Sequence, residues 1–518
     1  MFAQAPERPK LVVAIVVDQF RYDYLLRFRK DYTAGLARLL EQGAVFSDAH
    51  YQHSYTVTAV GHSTFLSGAT PSVSGIIANE WFDRESGKIV TSVSDPTTKL
   101  IGGAPGAAGS SPRRMLVTTV GDELKTVNAD SRVIGVSIKD RAAILPSGHS
   151  ANGAYWYDDD AKQFVTSSYY SEELPAWVKE WNAKKSYQRS VGADWLPLLT
   201  NAADAQSARP APYCTMTAGT KVPFCGTIEA TPWGNELIEE FAEAAIAGEN
   251  LGGHASPDIL TVSFSANDYI GHKMGPDDPA VRDISIRTDR LLGKFMDYID
   301  QRVGLANTLI VLTADHGVAP VPEYNQKHHL PGGRLPAQQI RKALSDALSK
   351  RYGAGDWLMP NAANIAPYLN YELMRAHNLE PEQVERTAAD AVRAFPHIAR
   401  VYTRHDLELG LTQKDAVGDA ISRSYFGPRF GDLYILQDPY YLFEQTGTSH
   451  GTPYDYDNHV PLIFLGRSIH AGTHTRRVAM NDVAPTLAAI LQVAPPGGSS
   501  GQILPEVLPV TPGVRAQR

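Results

Sequence analysis

Five short runs rich in β-branched residues constrain this fold more than any other feature: residues Leu11–Val17, 132–138, 259–264, Thr308–Thr313 and 460–465. A strand with one wet face alternates apolar and polar residues. These runs do not, so each is expected to be covered on both faces, as parallel strands are. Helical patterns lie between them, at residues 32–42, 113–128, 233–247, 283–303 and 481–491. The alternation predicts an α/β fold, a central, mostly parallel sheet flanked by helices. Ligands in such folds gather at the carboxyl ends of the strands.

Two stretches break the alternation. Residues 146–231 are aromatic and polar, and read as an insertion packed over the site end of the sheet. Residues 334–424 predict a small inserted α+β lobe: helix Ala337–Tyr352, strand 363–370, helix 381–394 and strand Ile398–Thr403, with a further strand at 430–436. The core is then built from residues 8–145, 232–333 and 425–505. The Gly/Ala/Ser/Pro cluster at 102–112 reads as a loop, because it lacks the strand-and-helix context of a phosphate-binding glycine motif.

A net charge of −8 argues against a nucleic-acid partner, whose binding depends on basic residues facing phosphates. A small phosphorylated substrate is compatible with a local cationic site. No apolar stretch approaches the ~20 residues that span a bilayer. Phe2-Ala3-Gln4-Ala5-Pro6 has the small-x-small look of the end of a secretory signal, with no charged or apolar segment before it. It reads as a mature-length chain with an added Met, a plain extended N-terminus being the alternative. Cys214 and Cys225 suit either a disulfide closing a surface loop in an oxidising compartment or two free thiols. No spare amphipathic helix or repeat points to assembly, so a monomer is expected.

The chemistry lies at the strand ends. The first run stops at Asp18, and a lone carboxylate there is often only a turn or a helix cap. The fourth leads into Asp315-His316-Gly317, which offers oxygen and nitrogen donors side by side. The third leads to Asp268 and His272, four apart and so able to share one helical face. His450 sits in a Gly/Pro-bounded turn before the last run. Three carboxylates and three imidazoles suit two neighbouring zinc ions. Between these strand ends lies Thr56-Val57-Thr58-Ala59-Val60-Gly61-His62, with a helix predicted over 59–66 and Thr58 as its N-cap. A hydroxyl there sits in the positive field of the helix start, which favours its alkoxide. Metal coordination would lower its pKa further.

The ordered set Asp18, Thr58-x-x-Gly-His, Asp268-x-x-x-His272, Asp315-His316 and His450-Gly resembles the alkaline phosphatase superfamily, in the branch shared with nucleotide pyrophosphatase/phosphodiesterases. Within it the chain looks like the phosphate-irrepressible (PafA-like) bacterial enzymes that use threonine. The likeness runs over nearly the whole chain, including Tyr155-Trp156-Tyr157-Asp158 and the run from Ser449 to Asp457. The resemblance implies two zinc ions per chain, one held by Asp268, His272 and His450. Asp18, Asp315, His316 and the Thr58 oxygen would hold the other. His62 would be structural; His459 precedes a core strand and is not expected to be a ligand, and His328 and His329 read as surface residues.

Lys139 and Arg141, two apart after a strand, would project to one side if extended. They match the Lys-x-Arg with which similar monoesterases bind phosphoryl oxygens, and Asn79 matches a phosphate-contacting asparagine. The Ala59 amide would be a further donor. The resemblance therefore implies an alkaline phosphatase acting on a broad range of phosphate monoesters, releasing inorganic phosphate through a phosphothreonine, in the periplasm or secreted. The alternative is a phosphodiesterase of the same superfamily. A sulfatase is disfavoured, because those enzymes usually convert a Cys or Ser to formylglycine, which Thr58 cannot become. A non-catalytic zinc- or phosphate-binding protein would have no use for the nucleophile and the basic pair.

Overall fold

Unbroken apolar strands can be buried on both faces, and the computed structural model, which describes residues 8–199, 212–217, 225–360 and 364–508, shows how they stack. Its main sheet contains Leu11–Val17 (β1), Ala44–Phe46 (β2), Ser94–Ile101 (β3), Ala108–Ser110 (β4), Val133–Ser137 (β5), Gly153–Asp158 (β6), Gln163–Ser167 (β7), Asp258–Phe264 (β8), Thr308–Thr313 (β9), Leu462–Leu465 (β10) and Gly472–His474 (β11). The order across the sheet is β11-β2-β10-β9-β1-β8-β5-β6-β7-β3-β4. The central five, β9-β1-β8-β5-β6, run parallel. Every residue of β1, β8 and β9 is buried, and each large aliphatic side chain so covered contributes about 1.5–3 kcal/mol.

Helices Gly35–Gln42, Pro232–Gly248, Pro279–Arg302 and Val483–Leu491 cover the sheet near the predicted places. One start is fixed from outside the helix. Ala34 cannot cap Gly35–Gln42, and buried Asp289 on Pro279–Arg302 accepts the amides of Thr33, Ala34, Leu36 and Ala37 at 2.7–3.2 Å. Asp289→Ala strands these donors and is expected to cost about 3 kcal/mol or more of stability, read from urea unfolding; a loss under about 1 kcal/mol would show that water replaces the carboxylate.

Five expectations are corrected. The last run pairs antiparallel with β9, Thr313 opposite Leu462; periodicity cannot give direction when both faces are covered. The segment 146–231 is not simply a cover. Pro146 lies inside the helix Asp140–Ser147, and β6 and β7 extend the main sheet. Its aromatics are core: Phe164 stacks on Phe241 at 3.7 Å. The small lobe does not stop at 424, because Ile398–Thr403 pairs antiparallel with Leu433–Gln437. Residue 363 of its other predicted strand lies outside the described residues, as do residues 2–6. The rest of that stretch gives one bridge, Leu358 to Leu369, followed by the helix Tyr371–Ala376. Residues 108–110, read as loop, form β4.

Glu385 in the lobe accepts the His405 amide at 3.0 Å, and burial pushes its carboxyl up to about 7. The folded state then holds a proton that the unfolded chain releases near pH 4.5, so this group's contribution falls as pH rises from about 4.5 to 7. Glu385→Gln keeps the acceptor and is expected to flatten that part of the stability–pH curve; an unchanged slope would contradict it. Cys214 and Cys225 form a disulfide, and no helix among the described residues is long and apolar enough to cross a membrane.

Candidate active site

Adjacent parallel strands deliver side chains to one edge in the order of the strands. Beyond β9 come Asp315 and His316, beyond β1 Asp18, beyond β8 Asp268 and His272, and beyond β5 Lys139 and Arg141. The antiparallel direction of β10 is what brings His450 here, since that strand begins at this same edge. Thr58 opens the helix Thr58–Ser67 as its first residue, with Val57 in the capping position in place of the predicted Thr58. Gly61 lets this helix close on the sheet: a Cβ there would lie 2.2 Å from the Asp315 carbonyl.

Two donor clusters result. Asp268 and His272 share one face of the helix Ala266–Met274. His272 Nε2 lies 3.2 Å from Asp268 Oδ1 and 3.2 Å from His450 Nε2, and His450 Nε2 is 3.7 Å from Asp268 Oδ1. In the second, His316 Nε2 lies 3.5 Å from Asp18 Oδ1 and 3.4 Å from Asp315 Oδ2. His316 is within reach of both, its donor also falling within 4.8 Å of those of Asp268 and His450.

The tautomers are set from behind. The Nδ1 atoms of His272, His316 and His450 meet the carbonyls of Thr448, Gly317 and Thr56 at 2.9, 2.9 and 2.7 Å. Each Nδ1 therefore carries the proton and each Nε2 is left as an acceptor. Asp18 Oδ1, Asp315 Oδ2 and His316 Nε2 are buried with no hydrogen-bond partner. Three unpartnered acceptors converging in this way fit a metal ion.

The charges agree. Burial, with Asp315 alongside, holds the Asp18 carboxyl well above the usual range. Burial also pushes on Asp268, but Lys139 and His272 outweigh it and keep that group well below. Asp315 is likewise held low, by His316 and His62 against its burial. Burial, then His316 and His272, hold His450 in its neutral form.

Lys139 Nζ sits between the clusters, 2.6 Å from Asp18 Oδ2, 2.6 Å from Asp268 Oδ2 and 3.4 Å from Thr58 Oγ1. The extended-chain argument for the basic pair fails: Lys139 caps the helix Asp140–Ser147 and Arg141 lies in its first turn. Arg141 Nη1 is 3.9 Å from Asp140, and its buried Nε has no partner. The Ala59 amide is corrected as well. It donates to Asn79 Oδ1 at 2.8 Å and so orients the asparagine.

His62 joins Thr58 O and Ser263 Oγ, each at 2.9 Å, and approaches Asp315 Oδ2 at 3.2 Å. His328 and His329 are exposed. His459 stacks between Tyr22 and His50, its Nε2 on the Ser47 carbonyl at 3.0 Å. His50 meets Asp48 and Asn458 at 2.6 and 2.8 Å, so this third group of donors is already satisfied by hydrogen bonds. Sequence reasoning missed a clasp behind the site. Asp457 accepts the Thr452 amide and hydroxyl at 2.9 and 2.6 Å, and its carbonyl accepts the Gly317 amide at 2.7 Å. Thr56 donates to Thr452 O at 3.0 Å. Thr452 and Asp457 lie in the run that carried the resemblance, but the contacts to Thr56 and Gly317 are made only where the loops meet.

Fold and site define a metal-dependent α/β hydrolase. The chain belongs to the type I phosphodiesterase / nucleotide pyrophosphatase family, whose model matches residues 12–460, and within it stands with the PafA-like alkaline phosphatases. It is 35% identical to "Alkaline phosphatase PafA" of Elizabethkingia meningoseptica over 97% of this chain and 95% of that protein. A crystal structure of wild-type PafA superposes with a TM-score of 0.91 at 34% identity, covering 97% of this chain and all of that one. Four curated relatives carry the name alkaline phosphatase. Another, from Myroides odoratus, 34% identical over 97% of this chain and 95% of its own length, is named a calcium-transporting ATPase. A solved PafA variant is substituted at a threonine and an asparagine 21 apart and a lysine and an arginine two apart, the spacings of Thr58 to Asn79 and Lys139 to Arg141 here.

Proposed function

We propose that this chain is a zinc-dependent alkaline phosphatase that hydrolyses phosphate monoesters through a phosphothreonine at Thr58. The observation that carries the reading is a lysine beside the hydroxyl, followed two residues on by an arginine with an open donor. Lys139 lies 3.4 Å from Thr58 Oγ1, and Arg141, two residues on, has a buried, unpartnered Nε. A monoester dianion has one more charged oxygen than a diester, and these groups would serve it. Asp268, His272 and His450 would hold one zinc, and Asp18, Asp315, His316 and the Thr58 oxygen a second. Bound there, the ions would supply Lewis-acid stabilisation of the attacking and leaving oxygens.

Thr58 Oγ attacks phosphorus in line. Its bond to phosphorus forms as the bond from phosphorus to the leaving oxygen breaks; the Thr58 hydroxyl proton passes to water, and the leaving alkoxide takes one from water. Water then attacks the phosphothreonine, releasing inorganic phosphate and restoring Thr58. Lys139, Arg141 and Asn79 Nδ2 hold the phosphoryl oxygens throughout. Chelation that empties the protein is expected to abolish turnover, with zinc restoring it; full activity in protein shown to be metal-free would contradict the reading.

The family description favours a second reading, phosphodiester cleavage, which the basic pair argues against. The ATPase name fits the same chemistry, since cleaving the terminal phosphoryl group of ATP is also attack on a dianionic phosphoryl centre. The disulfide suits an oxidising compartment, so we place the enzyme in the periplasm or outside the cell, as a monomer.

A further inference from the structure

The residue after Asp18 has no part in the reaction proposed above, yet it touches both donor clusters. Gln19 is buried and adopts φ 59°, in the left-handed region that a residue with a Cβ rarely enters. The reversal turns its backbone amide onto Asp315 Oδ1 at 3.2 Å. The side chain runs the other way, and its Nε2 donates to Asp268 Oδ1 at 2.6 Å. That oxygen is the one facing His272 and His450. Gly271 makes the room: a Cβ there would lie 1.8 Å from Gln19 Oε1. Glycine inside a helix is otherwise unfavourable, so two costly local choices serve one contact.

We propose that Gln19 is a positioning residue that grips one carboxylate of each cluster, fixes their relative orientation and thereby sets the metal affinity of the site. This rests on the metal-centred reading above. A carboxylate free to turn presents its oxygen to an ion only part of the time, and donors behind a ligand typically matter 10- to 100-fold for affinity.

The test uses the full chain, stripped of metal, with zinc affinity read by competition against a chromophoric chelator. Gln19→Gly keeps the left-handed backbone and the amide to Asp315 and removes only the side-chain grip. It is expected to weaken zinc binding about 10- to 100-fold, while the metal-free protein melts no earlier than wild type because glycine relieves the φ strain. Gly271→Ala, at a helical position where alanine favours folding, is expected to weaken zinc in the wild-type background and to change little in the Gln19→Gly background, the coupling that a shared contact produces. Unchanged affinity in Gln19→Gly, or additive losses from the two substitutions, overturns the proposal. Wild-type protein that takes up no zinc overturns the metal-centred reading beneath it, and the proposal with it.

Discussion

Thr58→Ala is expected to lower monoester turnover by on the order of 10⁵-fold, the scale seen when a nucleophile is removed from an otherwise intact site. The substitution deletes one oxygen and one methyl group at the first residue of a buried helix that has no side-chain cap to lose. The fold should therefore hold. The ligand carboxylates and imidazoles all come from other segments, so zinc content should stay near that of wild type. Rapid acid quenching with labelled substrate separates the outcomes. Wild type is expected to carry a covalent phosphoryl group on Thr58, and the variant none. Labelled variant protein would put the nucleophile elsewhere.

Arg141→Ala is the second large effect, and it is selective. Arg141 is only a quarter exposed at its side chain, makes one long contact to Asp140 at 3.9 Å, and has a buried Nε without a partner. Such a guanidinium is poised for an anion that arrives. Removing one donor to transition-state charge typically costs 10²–10³-fold, so monoester kcat/KM is expected to fall by about that much. A diester lacks the extra charged oxygen and should lose less than about 10-fold. Equal losses on both substrates would mean that Arg141 supports the site without distinguishing the two.

Much of this was legible because burial leaves a mark on sequence. A strand covered on both faces must be apolar throughout, so the strands that lead to Asp18, Asp268 and Asp315 stood out, and their ends located the donor clusters. The direction of Leu462–Leu465 left no such mark, although it decides how His450 reaches the site. The aromatics of residues 155–157 look the same whether they cover a sheet or extend it. Thr58 as cap and Thr58 as first helical residue differ by one peptide. Lys139 and Arg141 were singled out on an extended backbone, whereas they stand at a helix start. Gln19 acts only through contacts made far along the chain, on Asp268 and Asp315, and Asp457 adds to its nearby contact with Thr452 one to the distant Gly317.

The central claim is that the site is built for a dianionic phosphoryl group. It is tested most directly by kcat/KM of the zinc-loaded protein on an aryl phosphate monoester and a phosphodiester with the same leaving group. A preference for the monoester of 100-fold or more is expected. Equal rates, or a preference for the diester, would contradict it.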